Sequence, residues 1–143
     1  MRYLIDTNVL SELRKGARAD TAVRQWFGES SRCELYLSVL TLGEIRSGIE
    51  RIRSRDVAAA QALESWLVRV TTEYSERILP VDETVAEAWG RFNPGRPVPV
   101  VDGLLAATAL VHDLVLVTRN DSDVRSTGVR WLNPFSSPPR GNG

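Results

Sequence analysis

Three residue types that carry much of protein chemistry are almost missing from this chain. It has one cysteine, Cys33, one histidine, His112, and one lysine, Lys15. A single cysteine rules out an internal disulfide and leaves no thiolate cluster for zinc. Cys33 therefore reads as a small buried hydrophobe. One histidine excludes RNA cleavage by a pair of imidazoles, and any zinc site built on two histidines. No apolar run approaches the roughly 20 residues of a membrane span, so no membrane association is expected. Excess charge is missing too: 18 basic and 18 acidic residues leave a net charge of +0. Bulk charge gives no attraction to nucleic acid, and any such binding falls to local patches. The first residues, Met1 to Asp6, meet an acid too early for a signal peptide, which makes the cytoplasm the expected location.

What is present is ordinary globular material. The 143 residues are 43% hydrophobic and 25% charged, one domain's worth with a core of its own. Arg2 to Ile5 reads as a strand ending at Asp6. Asp6, Thr7 and Asn8 offer capping side chains to a helix carrying Val9, Leu10 and Leu13, which Gly16 stops. Ala19 to Phe27 reads as a helix closed by Gly28, and Leu35 to Val39 as a strand. Helices follow over Thr41–Arg55 and, capped by Asp56, over Val57–Thr72. Ile78–Val81 is a strand and Glu83–Phe92 a helix. Prolines make Asn93–Pro99 a loop. Asp102 opens an apolar helix, Gly103–His112, and strands follow over Leu114–Thr118 and Val129–Leu132.

Strands that alternate with helices predict an α/β fold: a single domain over residues 1–135, its parallel sheet flanked by helices on both faces. Residues 136–143, rich in Ser, Pro and Gly, are expected to be a disordered tail. In such sheets ligands bind beyond the C-terminal ends of the strands. Acids fall at four such points: Asp6, Glu44, Asp102, and the pair Asp121 and Asp123 beside Asn120. Each has a plainer reading. Asp6 and Asp102 suit helix caps, Glu44 suits the positive end of a helix dipole, and the pair suits a turn. Converging, they have a coherent chemistry. Packed carboxylates repel one another, and a hard divalent cation relieves the repulsion. Oxygen-only ligands favour Mg²⁺ or Mn²⁺ over zinc. Such an ion orients and activates water for attack on a phosphodiester.

Four segments carry a resemblance. They are Leu4-Ile5-Asp6-Thr7-Asn8-Val9-Leu10, Ser38-Val39-Leu40-Thr41-Leu42-Gly43-Glu44-Ile45, Asp102-Gly103-Leu104-Leu105-Ala106-Ala107, and Leu116-Val117-Thr118-Arg119-Asn120. In this order they resemble PIN-domain proteins of the VapC and FitB type, the ribonuclease toxins of bacterial toxin–antitoxin modules. The resemblance runs from Met1 to about Phe135. It implies a metal-dependent endoribonuclease with Asp6, Glu44 and Asp102 as metal-binding acids. The family's fourth acid matches Asp123, where Val124 replaces the usual aromatic, with Asp121 as a neighbouring rival. Thr7, Asn8, Thr118 and Asn120 are then expected to hydrogen-bond the acids or their waters, although Thr7 and Asn8 also suit ordinary caps. The resemblance further implies a homodimer and a VapB-type antitoxin whose arginine or apolar segment blocks the acidic groove.

Arg14, Arg46 and Arg119 are candidate RNA contacts, Arg119, which neighbours the acidic loop, being the more specific of them. Solvated helix faces account equally well for Arg14 and Arg46. The aromatics Trp26, Trp66, Trp89 and Trp131 read as core or dimer contacts, and His112 as a partner of a helix end. Two other enzymes place an aspartate after the first strand. A haloacid-dehalogenase-type phosphatase needs a second acid two residues on, where this chain has Asn8. A receiver domain needs a later lysine, which Lys15 cannot supply. A PIN fold kept only for binding a partner is the non-catalytic alternative.

Overall fold

The computed structural model describes residues 1–92 and 94–135. The expected tail, 136–143, and Asn93 of the proline-rich loop lie outside these. Strands β1 (Tyr3–Ile5), β2 (Leu35–Ser38), β3 (Ile78–Leu79), β4 (Val115–Val117) and β5 (Trp131–Leu132) form one sheet in the order β3-β2-β1-β4-β5. Every pairing is parallel, with Tyr3 opposite both Leu35 and Val115. All five strands therefore deliver their C-terminal ends to one edge.

The period of two along a strand splits the core between the faces. Ile5, Leu35, Leu37 and Val117 face one way. They pack on α1 (Thr7–Leu13), α2 (Thr21–Glu29), α3 (Val39–Arg53) and α4 (Val57–Glu73) through residues such as Val9, Val23, Ile49 and Leu67. Leu4, Leu114 and Leu116 face the other way, against Leu105, Ala106 and Ala109 of α6 (Val100–Val111) and Val124 of α7 (Asp121–Val124). Helix α5 (Glu83–Gly90) packs on α6. Trp89 of α5 lies so close to Gly103 that a Cβ there would stand 3.0 Å from the indole. Among the described residues, no helix is long and apolar enough to cross a membrane.

Caps set most helix starts. Asp20, Ser38, Asp56 and Asp82 each accept a hydrogen bond from a backbone N–H of the helix that follows. Ser38 shifts the expected boundary: β2 stops there, and α3 begins at Val39 instead of Thr41. Gly28 lies inside α2 and does not close it. The helix expected to reach Phe92 stops at Gly90, and the strand expected to reach Val81 stops at Leu79. Pro99 precedes α6, so Asp102 sits in the first turn and is not its cap. The short α7 was not expected. Gly16 takes a left-handed conformation (φ 60°) after α1, the conformation that favours glycine at a helix end. Cys33 is exposed, correcting the buried reading; it occupies a 3-10 turn ahead of β2 with its sulfur 3.0 Å from the Ser31 hydroxyl.

Candidate active site

The buried carboxylate of Asp6 lies where β1 meets α1, between β2 and β4. Its own N–H donates to the Val117 carbonyl (2.9 Å), prolonging the β1–β4 ladder by one step. Three donors fix the side chain. The Thr7 N–H reaches Oδ1 at 2.6 Å, while the Thr118 hydroxyl and the Asn8 amide reach Oδ2 at 2.7 and 3.3 Å. Thr118 is itself held, since its oxygen accepts the Asn120 N–H at 3.0 Å. Asn8 turns its other side to the Arg119 N–H (3.2 Å), tying α1 to the segment after β4. Thr7 extends the network to α3 by donating its hydroxyl to Glu44 Oε1 at 2.6 Å. These polar residues thus join the ends of β1 and β4 around one carboxylate and tie them to α3.

Burial is the main cause that raises the Asp6 pKa above its ordinary value. The Thr118 and Thr7 hydrogen bonds oppose it, and the Glu44 charge adds to it. Asp102 is pushed up from 3.8 to about 6. Burial is again the first cause, followed by the charges of Asp6, Asp123 and Glu44, and then by a hydrogen bond with Asp123. The first turn of α6 therefore lies within electrostatic reach of all three other acids. Among the described residues, no three acidic, histidine or cysteine side chains lie close enough to clasp one ion as placed. The donor set is nonetheless oxygen-only and mutually repulsive, which suits a hard divalent cation.

Asp121 and Asp123 have different surroundings although both belong to α7. The Asp121 carboxylate takes the Arg125 guanidinium at 2.7 and 3.3 Å and the Asn133 amide at 3.4 Å. Asp123 instead acts on Asp102, whose pKa it helps to raise. Of the candidate RNA contacts, Arg46 is engaged by Glu64 (2.7 Å) and Glu50 (3.5 Å) on the α3–α4 face. Arg14 stacks over Trp66 beside a groove that also includes Thr7 and Glu44. Arg119 stacks over Phe135. Sequence reasoning missed Asn133 as the partner of Asp121. Trp131, read as a core or dimer contact, is 37% exposed in the single chain and carries Arg125 over its ring. The available signal was position, because Asn133 follows β5 at the C-terminal edge of the sheet.

Residues 3–129 match the PIN domain family. The chain belongs to that family. Similarity to individual members covers almost the whole PIN domain. It is 31% identical over 139 residues to the VapC ribonuclease Y4jK of Sinorhizobium fredii, spanning 92% of this chain and 96% of that one. It is 29% identical over 139 residues to toxin FitB of Neisseria gonorrhoeae, spanning 92% and 97%. The crystal structure of FitAcB from Neisseria gonorrhoeae superposes with a TM-score of 0.85 at 28% identity, covering 94% of this chain and 99% of that one. The fold class expected from the strand–helix alternation is thereby met.

Proposed function

We propose that this PIN domain is a metal-dependent endoribonuclease, the toxin of a toxin–antitoxin pair. The observation that supports the reading is the placement of Asp102 within electrostatic reach of Asp6, Asp123 and Glu44, where burial and these three charges raise it to about 6. Structural carboxylates are seldom gathered at such electrostatic expense, whereas functional ones often are. The relatives named as a VapC ribonuclease and as toxin FitB point the same way.

Asp6, Glu44, Asp102 and Asp123 are the residues that would hold Mg²⁺ or Mn²⁺. A bound ion of this kind activates water at neutral pH and stabilises developing charge on phosphate oxygens. The rest of the machinery belongs to the chain. Thr118 and the Thr7 N–H fix the Asp6 oxygens, and the Thr7 hydroxyl fixes Glu44, so both acids are oriented before any ligand arrives. Asn8 braces the segment after β4 against α1, and the Asn120 backbone N–H holds the Thr118 hydroxyl. Asp102 has a pKa raised to about 6, and its charged form is the one that would accept a cation.

The expected partners are an RNA substrate, a second copy of the chain in a homodimer, and a small antitoxin of the VapB type. Toxin–antitoxin assemblies are the subject of similar structures, including one of FitAB bound to a DNA fragment. An antitoxin guanidinium placed among these acids would take the position suited to a cation. The test is incubation of the partner-free protein with structured and unstructured RNAs, with and without Mg²⁺ or Mn²⁺, beside Asp6→Asn. Metal-dependent cleavage that the variant lacks supports the reading. Absence of both cleavage and metal binding favours a partner-binding module instead.

A further inference from the structure

Hydrogen bonds from Thr7, Asn8 and Thr118 fix the carboxylates of Asp6 and Glu44. Asp102 is held differently. Among the described residues no hydroxyl, amide or backbone N–H donates to its carboxylate. The start of its helix is equally bare. A side chain caps each of α2, α3, α4 and α5, whereas Pro99 gives α6 no side-chain cap. The place of Asp102 among the other acids therefore depends on what the first turn of α6 packs against.

Gly103 shows what that is. It is buried, and successive residues of a helix point about 100° apart, so it presents a different face from Asp102. A Cβ at this position would stand 3.0 Å from Cδ1 and Nε1 of Trp89 and 3.9 Å from a Val98 methyl group. Carbon atoms in ordinary contact stand about 3.5–4.0 Å apart. The missing side chain thus lets the indole close on the helix backbone. Val98 closes from the other element, the proline-rich loop, and among its described residues 94–99 it is the one that is partly buried. Trp89 is not core filling. It is 39% exposed in the single chain, and hollows of about 410 and 310 Å³ adjoin it.

We propose that Trp89 is a positioning residue for the metal site. Its contact with Gly103, backed by Val98, fixes the first turn of α6 and so holds Asp102 in register with Asp6, Glu44 and Asp123. The proposal rests on the metal-dependent reading and adds to it a residue outside the acids. The leverage is large, because residues that support metal ligands are commonly worth about 10–100-fold in metal affinity. A displacement of about 1 Å costs a similar factor in rate.

The test is calorimetric titration of the full chain with Mn²⁺, at a temperature well below every Tm, with kcat on RNA as a second readout. Trp89→Ala should weaken Mn²⁺ binding about tenfold. Trp89→Phe keeps a flat ring against the helix and should recover most of that loss. Gly103→Ala should also cost about tenfold alone, yet little in the Trp89→Ala background, where its Cβ enters the space that the indole left. Val70→Ala changes the core on the α4 side, away from the acids. It should lower Tm and leave Mn²⁺ affinity unchanged, which separates positioning from general destabilisation. Parental affinity in both Trp89→Ala and Gly103→Ala would overturn the proposal. So would losses that simply add in the double variant, losses that follow Tm in Val70→Ala as well, or losses that track dissociation of a dimer by light scattering. A parent that binds no Mn²⁺ overturns the proposal together with the metal-dependent reading, whereas a parent that binds it beside unaltered variants overturns the proposal alone.

Discussion

Replacing Asp102 with asparagine should make the metal-free protein more stable at neutral pH while abolishing its activity. The Asp102 carboxyl moves from 3.8 to about 6 on folding, so the folded state prefers it protonated. The resulting penalty is fully present above about pH 6, shrinks as pH falls, and vanishes below 3.8, where both states are protonated. At about 1.4 kcal/mol per pH unit, the ceiling is roughly 3 kcal/mol. Asp102 is only partly buried, and solvent screening reduces this to on the order of 1 kcal/mol. Asparagine keeps the shape and removes the charge. Urea unfolding in EDTA at pH 7.5 should therefore show a higher midpoint for Asp102→Asn. The two proteins should converge toward pH 4. Adding Mn²⁺ should reverse the order by stabilising the parent preferentially. A variant less stable than the parent across the whole pH range, with unaltered denaturant sensitivity, would refute the claim that Asp102 is strained by its neighbours.

Thr118→Val removes the hydroxyl that links Asp6 to the Asn120 N–H, so unfolding should show a loss of about 1–3 kcal/mol and kcat should fall. Asp123→Asn should abolish metal-dependent cleavage, whereas Asp121→Asn should retain metal affinity by calorimetry, since its carboxylate serves Arg125 and Asn133. Gly103→Ala places a Cβ 3.0 Å from the Trp89 indole. Strain there, partly offset by better helix propensity, should lower stability by about 1–2 kcal/mol, read as a drop in Tm.

The parallel sheet and the position of its acids were legible because strand ends in α/β folds follow a general rule that local sequence can meet. Asp6 follows a strand and Asp102 lies in the first turn of a helix, which are local facts, whereas Glu44 falls beyond the first turn of α3 because that helix starts at Val39. The difference between Asp121 and Asp123 is not local. It depends on a four-residue α7 with no periodicity to read, and on Asn133, which arrives only when β5 pairs beside β4. Arg46 shows the same limit, for Glu64 reaches it only after α4 packs on α3. Helix starts failed where the capping chemistry was misplaced. Ser38 caps α3 although it ends a strand, and Pro99 starts α6 three residues before Asp102. The sequence pattern left Trp131 open between core and dimer contact, because the exposure of an edge-strand aromatic depends on what covers it.

The most direct measurement is an anomalous difference map at the manganese edge from a crystal of this protein grown with MnCl₂. A peak within about 2.0–2.3 Å of carboxylate oxygens from Asp6 and Asp102, with Glu44 and Asp123 beside it or reached through water, is the predicted result. A strong peak elsewhere on the chain, or none among these acids at saturating manganese, would contradict the account.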